Sequence, residues 1–304
     1  MTTTTTIGPE AIIAPDVRNG TGESPVWDPN TRCWTWIDIP ARSIHRLDPS
    51  SGTLRTWRME ELIGSMVLRP DGGPVCSCET GIFDVDLPPD SPVARATRIA
   101  TVTHPKAGMR FNDGRCDRQG RLWVSTMVMD IGLADPAGRW YRYTRADGLT
   151  ETELNGFVIP NGSAFSPDGK VFYASDSHRD VRMLWAYDYD PDSGVPHNKR
   201  VFVDMRGMAG RPDGAAVDVD GCYWICCLDE GCIKRFTPKG DLDRRIEVPM
   251  RKPTMCSFGG DDMQTMLVTS LSRGPDDLAD DPHGGRVLMF RPGAQGIGEP
   301  RLAI

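Results

Sequence analysis

The chain has 304 residues, 39% of them hydrophobic and 25% charged, with a formal net charge of −7 at neutral pH. That charge argues against the basic surface that nucleic-acid backbones require, so no nucleic-acid partner is expected. No apolar run approaches the ~20 residues that cross a bilayer, and no basic-then-apolar leader opens the chain. No membrane partner is expected, and the location expected is cytoplasmic.

Residues 1–9 begin with a threonine run and are expected to form a flexible tail. The short apolar segment Glu10-Ala11-Ile12-Ile13-Ala14 follows. A turn-and-strand unit then recurs. It runs first from Val26-Trp27-Asp28-Pro29-Asn30 into Cys33–Asp38, and next from Arg69-Pro70-Asp71-Gly72-Gly73 into Val75–Glu79. The third unit is Cys116-Asp117-Arg118-Gln119-Gly120-Arg121-Leu122-Trp123, and the fourth is Ser166-Pro167-Asp168-Gly169-Lys170-Val171-Phe172-Tyr173. The fifth is Val219-Asp220-Gly221-Cys222-Tyr223-Trp224, and a weaker sixth leads from Phe258-Gly259-Gly260-Asp261-Asp262 into Thr265–Ser270. Strands rich in aromatic and β-branched residues, such as Ser43–Asp48, Trp140–Tyr143, Met183–Asp188, Cys232–Phe236 and Arg286–Phe290, come after the turn strands.

The turn glycines Gly72, Gly120, Gly169 and Gly221 are 48, 49 and 52 residues apart. A near-constant step of this size means one supersecondary unit used repeatedly. The spacing predicts an all-β chain, a six-bladed β-propeller with four-stranded blades, as a single domain over residues 1–304. Glu10–Ala14 would complete the last blade and close the ring, removing two unpaired sheet edges. A two-sheet sandwich also carries turns, but not one recurrent phrase at constant spacing.

Nine cysteines include no Cys-x-x-Cys pair, and they read as small buried apolar residues rather than a zinc or redox site. The five histidines show no metal-binding spacing, and no Gly-x-Ser-x-Gly elbow is present. The polar residues that stand out lie just before the turn strands, where each innermost strand should run. They fall in Gly22-Glu23-Ser24-Pro25, Arg110-Phe111-Asn112-Asp113-Gly114, Ile159-Pro160-Asn161-Gly162 and Arg211-Pro212-Asp213-Gly214. Each phrase alone is a common turn. Asn112 to Asn161 and Asn161 to Asp213 are, however, 49 and 52 residues apart, the same steps as the turn glycines. Equivalent blade positions share one channel, so Glu23, Asn112, Asn161 and Asp213 can form a hard-oxygen site. Such a site suits Ca²⁺, Mg²⁺ or Mn²⁺, and holds Zn²⁺ less selectively.

Together with Ser166-Pro167-Asp168-Gly169 and Asp176-Ser177, these phrases resemble the gluconolactonase / regucalcin (senescence marker protein) / luciferin-regenerating enzyme family. The resemblance spans roughly residues 15–292. It implies a propeller with one divalent metal at the channel mouth, held by Glu23, Asn161 and Asp213. It also implies substrate contacts from Arg110 and Asn112, with Asp213 as general base. The activity implied is metal-dependent hydrolysis of a small-molecule lactone, a sugar (aldono) lactone opened to its hydroxy acid in carbohydrate catabolism. Same-fold hydrolysis of other esters, lactones or phosphotriesters stands as the alternative, as does a non-catalytic calcium-binding propeller. Three departures from the family pattern are visible. Ser24-Pro25 follows Glu23, Ser163 stands where a bulkier apolar residue is usual, and Met127–Gly132 lacks a glutamate found in some sugar-lactone members.

Overall fold

A computed structural model describes residues 2–303 and sets the repeated units around one axis as a six-bladed β-propeller. The first blade orders its antiparallel strands Gly22–Asp28, Cys33–Asp38, Ser43–Asp48 and Thr53–Arg58 from the axis outward. The innermost strands of the other five are Ile63–Leu68, Met109–Cys116, Pro160–Phe165, Arg211–Val217 and Pro253–Gly259. Burial falls from axis to rim: every residue of Pro160–Phe165 is buried, whereas Val195–Asp204, outermost in the same blade, is mostly exposed.

Six apolar clusters fill the six gaps between neighbouring blades. Each blade therefore buries both faces, and the core is a ring of interfaces rather than one centre. Between the third and fourth blades Trp123 and Trp140 pack on Phe165, Phe172 and Tyr187. Trp123 and Phe172 belong to the repeated phrase, and Trp140 and Tyr187 to the strands that follow it. Full burial of side chains this large is worth roughly 1.5–3 kcal/mol or more apiece.

The turn phrase recurs because its acidic residue has a structural task. Asp28, Asp117 and Asp218 are fully buried. Asp117 Oδ1 accepts the turn amides of Gln119 and Arg121 at 3.0 and 2.9 Å. Asp218 Oδ1 accepts those of Asp220 and Cys222 at 3.1 and 2.9 Å. Each carboxylate also meets a guanidinium: Asp28 meets Arg301, Asp117 meets Arg121 and Asp218 meets Arg235. In the fourth blade Ser166 does the amide work, its Oγ accepting from Lys170 and Val171. The glycine closing the turn sits at positive φ, 81° at Gly120 and 78° at Gly221, where a β-carbon would be strained.

Ring closure follows the expectation. Ile12–Ile13 pairs antiparallel with Val287–Phe290, so an N-terminal segment supplies the outer strand of the blade built from the other end of the chain. The threonine run corrects the expected flexible tail. Thr3–Thr6 forms a fifth strand on the fifth blade, parallel to Leu242–Glu247 and in register from Thr3↔Arg244 to Thr6↔Glu247. An outer strand offers unpaired amides, and β-branched threonines suit the strand that takes them. The last residues cross the turn end of the channel. Leu302 N donates to Leu68 O at 2.9 Å, Ala303 N donates to Gly120 O at 2.8 Å, and Glu299 pairs with Arg115. The opposite end, where the inner strands begin, is left for a site. No helix among the described residues is long and apolar enough to cross a membrane.

Asp218→Ala should remove about 3–5 kcal/mol of stability, because Arg235 and the Trp224 indole N–H lose a buried partner. Urea unfolding checks this, with Arg206→Ala at an exposed ion pair as the silent control.

Candidate active site at the channel mouth

All six inner strands lose register with their neighbour near their first residues. The shifts fall between Glu23 and Val26, Ile63 and Ser65, Phe111 and Gly114, Asn161 and Ala164, Pro212 and Ala215, and Pro253 and Cys256. A bulge breaks the two-residue alternation of a strand and re-aims the side chains beside it. Here it lets polar residues turn to the axis while the rest of the strand stays in the blade. Two backbone details hold the bulges. Ser24 takes φ 49°, and its Oγ accepts the Met66 amide at 3.1 Å, tying the first blade to the second. Gly64 lies so close to the third blade that a β-carbon would sit 2.1 Å from Phe111 O, one residue before Asn112.

Four of the five expected residues form one hydrogen-bonded chain across three blades. Arg110 Nη1 donates to Asn112 Oδ1 at 2.9 Å. Asn112 Nδ2 donates to Pro160 O at 2.9 Å and to Asn161 Oδ1 at 3.3 Å. Asn161 Nδ2 donates to Asp213 Oδ1 at 2.7 Å and to Ser177 Oγ at 2.8 Å. Asn112, Asn161 and Asp213 are 7%, 6% and 5% exposed, so the chain is shielded from bulk water. Glu23, from the first blade, makes no side-chain hydrogen bond to these four but feels their charge. Its carboxyl is held well above the usual range by burial first and then by the Asp213 and Asp113 carboxylates. Burial also raises Asp213 well above its ordinary value, and the nearby Arg211 guanidinium offsets this only in part. Burial lowers the Arg110 guanidinium to about 10.

Supporting residues went unremarked or underweighted in the sequence. Ser177, next to the quoted Asp176, fixes the Asn161 amide. Asp176 ends its strand and also accepts the Val158, Ile159 and His178 amides, holding the entry to the Asn161 strand. Asp38 does the same for the first blade through Gly20 and Thr21. Asp113 Oδ2 accepts the Ser163 amide at 2.7 Å and joins the third blade to the fourth.

The SMP-30/Gluconolactonase/LRE-like region matches residues 21–272. The chain belongs to this family. Among its relatives is a 6-deoxy-6-sulfogluconolactonase of Pseudomonas putida, 36% identical over 284 residues, covering 93% of this chain and 94% of the relative. Another is the pentonolactonase XacC of Haloferax volcanii, 30% identical over 285 residues, covering 92% and 93%. The crystal structure of a calcium-binding protein, regucalcin, from Agrobacterium tumefaciens superposes with a TM-score of 0.89 at 27% identity, covering all of both chains.

The family implies a divalent metal, and the residues at the mouth fit one chemically. Two carboxylates and an amide oxygen are hard donors. The raised affinity of both carboxyls for protons is the electrostatic deficit that a cation would relieve. In the present arrangement Asn161 turns Nδ2 toward Asp213 and Oδ1 toward Asn112. Turning Oδ1 toward Asp213 for a cation would take half a revolution of the amide, which the Ser177 hydroxyl, donor or acceptor, tolerates but which gives up the bond from Asn112 Nδ2. A second cluster, Cys227, Glu230 and Cys232, has ligand atoms within 4.8 Å of one another, drawn from cysteines expected to be small buried apolar residues. Both Glu230 oxygens are already taken by Lys234 and Arg245, and both thiols are fully buried.

With chelator present, the folded-state pKa of Asp213 lies above its unfolded value. The native state then binds the extra proton and loses stability as pH rises through that window. Asp213→Asn removes the loss. Parent and variant should melt close together near pH 4, and the variant should be the more stable by pH 8. Excess divalent cation should reverse that order, because only the parent keeps its carboxylate ligand. Thermal melts with and without chelator measure this; a difference independent of pH would contradict it.

Proposed function

We propose that this chain is a divalent-metal-dependent hydrolase that opens a sugar lactone to its hydroxy acid in carbohydrate breakdown. The observation that carries the reading is the chain Arg110–Asn112–Asn161–Asp213 meeting Glu23 at one channel mouth. A structural propeller has no use for ionisable groups held unpaired in that space. Membership of a family whose relatives are named as lactonases supports the substrate class. The regucalcin neighbour, named as calcium-binding, supports the cation. Glu23, Asn161 and Asp213 would hold the ion, with Ca²⁺, Mg²⁺ or Mn²⁺ favoured over Zn²⁺ by the absence of imidazole and thiolate among these donors. Nine unpaired cysteines accord with the cytosol.

A bound dication would polarise the lactone carbonyl and stabilise the negative charge that develops on its oxygen. The protein's own groups do the rest. Arg110, with no ion-paired carboxylate among the described residues, offers N–H donors to ring hydroxyls, and Asn112, whose N–H bonds are taken, offers the second lone pair of its Oδ1; together they fix the ring's orientation. Asn112 is itself held by Pro160 O, so its amide is pre-set rather than recruited. Asp213 accepts the proton of the attacking water on a carboxylate oxygen. The acyl C–O bond of the ring then breaks, and the leaving alkoxide takes the proton that Asp213 received, giving the hydroxy acid.

Acid release from a panel of sugar lactones, with chelator and with each cation restored, tests the reading. Turnover should vanish on chelation and return with metal. Asp213→Asn should lower kcat by about 10²–10⁴-fold while calorimetry still detects the cation. Turnover unaffected by either treatment would remove the metal and the base together. Hydrolysis of aryl esters or phosphotriesters alone would replace the lactone.

A further inference from the structure

A cavity of about 300 Å³ opens beside the hydrogen-bonded chain, and its lining is cationic. Loops of four blades meet there. The third contributes the segment 131–134, the fourth Ile159 and His178-Arg179-Asp180, the fifth Arg211 and the sixth Arg273. It shares a wall with the site. Ile159 lies two residues before Asn161, Arg211 two before Asp213, and His178 follows Ser177. Arg211 Nη1 donates to Ser177 O at 3.2 Å, and the hydroxyl of the same serine receives Asn161. The cavity therefore lies within reach of a small molecule reacting at Asp213 and Asn161.

Three guanidinium groups line it against one carboxylate, Asp180, in a chain with 42 acidic and 35 basic residues. Arg211 is already engaged, its Nε 2.8 Å from Asp229 Oδ2. Among the described residues, the side chains of Arg179 and Arg273 make no hydrogen bond and no close ion pair; the one carboxylate that feels the Arg273 charge, Asp277, is already paired with Lys252. They reach the cavity from different blades, so neither the turn chemistry nor the inter-blade packing accounts for their meeting. Like charges lining one cavity with few partners repel, and an oxyanion between them removes the repulsion. Guanidinium suits that role through its planar fork of donors, which matches oxygens on sulfur, phosphorus or carbon.

We propose that the lactone opened here carries an anionic substituent at the end remote from its carbonyl, a sulfonate, phosphate or carboxylate bound by Arg179 and Arg273. The inference rests on the lactonase reading above. Arg211, tethered by Asp229 and Ser177, forms the fixed wall. Arg179 and Arg273 close on the substituent from the fourth and sixth blades. A site built to satisfy charge discriminates strongly against a neutral analogue that leaves its donors unpaired.

The test compares kcat/KM for a neutral 1,5-gluconolactone with its 6-sulfo, 6-phospho and 6-carboxylate counterparts. At least one anionic substrate should exceed the neutral one by ~10- to 100-fold, and the best of the three identifies the group. The ratio should shrink as salt screens the charge. Arg179→Gln and Arg273→Gln should each lower the ratio by about 10-fold. Arg200→Gln, at an exposed pair with Asp188 on the rim, should leave it unchanged. A neutral lactone turned over as well as all three anionic ones would overturn the anion site and leave the lactonase standing. No turnover of any of the four, with any cation, would overturn both.

Discussion

Glu23 and Asp213 face one shielded space, and burial there raises both carboxyls well above their ordinary range, Glu23 further so by the Asp213 charge. Left to itself each carboxyl would retreat to solvent or keep its proton. The ring forbids retreat, since both residues sit on innermost strands whose neighbours are packed on either side. The stability that holds them comes from elsewhere, from the six apolar clusters between blades. Unfavourable groups collected at the mouth are maintained by favourable contacts distributed around the rim.

The same residue type is used in two opposite ways. Asp28, Asp117 and Asp218 are as buried as any side chain in the protein, yet each is satisfied by turn amides and an arginine. Asp213 has one amide donor and no direct guanidinium contact. Burial alone therefore does not separate a structural aspartate from a reactive one; the count of committed partners does. Asp176 and Asp38 fall on the structural side, with backbone amides filling their carboxylates.

Much of this was legible in the chain. The turn glycine is required by positive φ, so its period survives even where the surrounding residues drift, as between the third and fifth blades. The period predicts the blade number, and the blade number places Asn112, Asn161 and Asp213 side by side. The bulges were not legible. A register shift shows up as one extra residue in a strand, and no residue type marks it when Ser24, Asn112 and Asp213 serve equally. The threonine strand was missed because its partner, Leu242–Glu247, lies far along the chain and its own composition also suits a loose end.

The arginine cavity was hidden for a further reason. Arg179 and Arg273 stand outside the repeated phrase, in loops whose lengths differ from blade to blade, so no period relates them; only Arg211, at the head of an inner strand, follows the repeat. Repetition makes the inner strands equivalent, and equivalence is what allows a single metal centre to be inferred from spacing. Discrimination between substrates needs the reverse, a different side chain from each blade at the same height above the axis. A propeller meets both demands because the strands obey the repeat and the loops above them do not. The chemistry proposed for Glu23, Asn161 and Asp213 can then be fixed by the repeat while the groups proposed to select the substrate come from the loops around them.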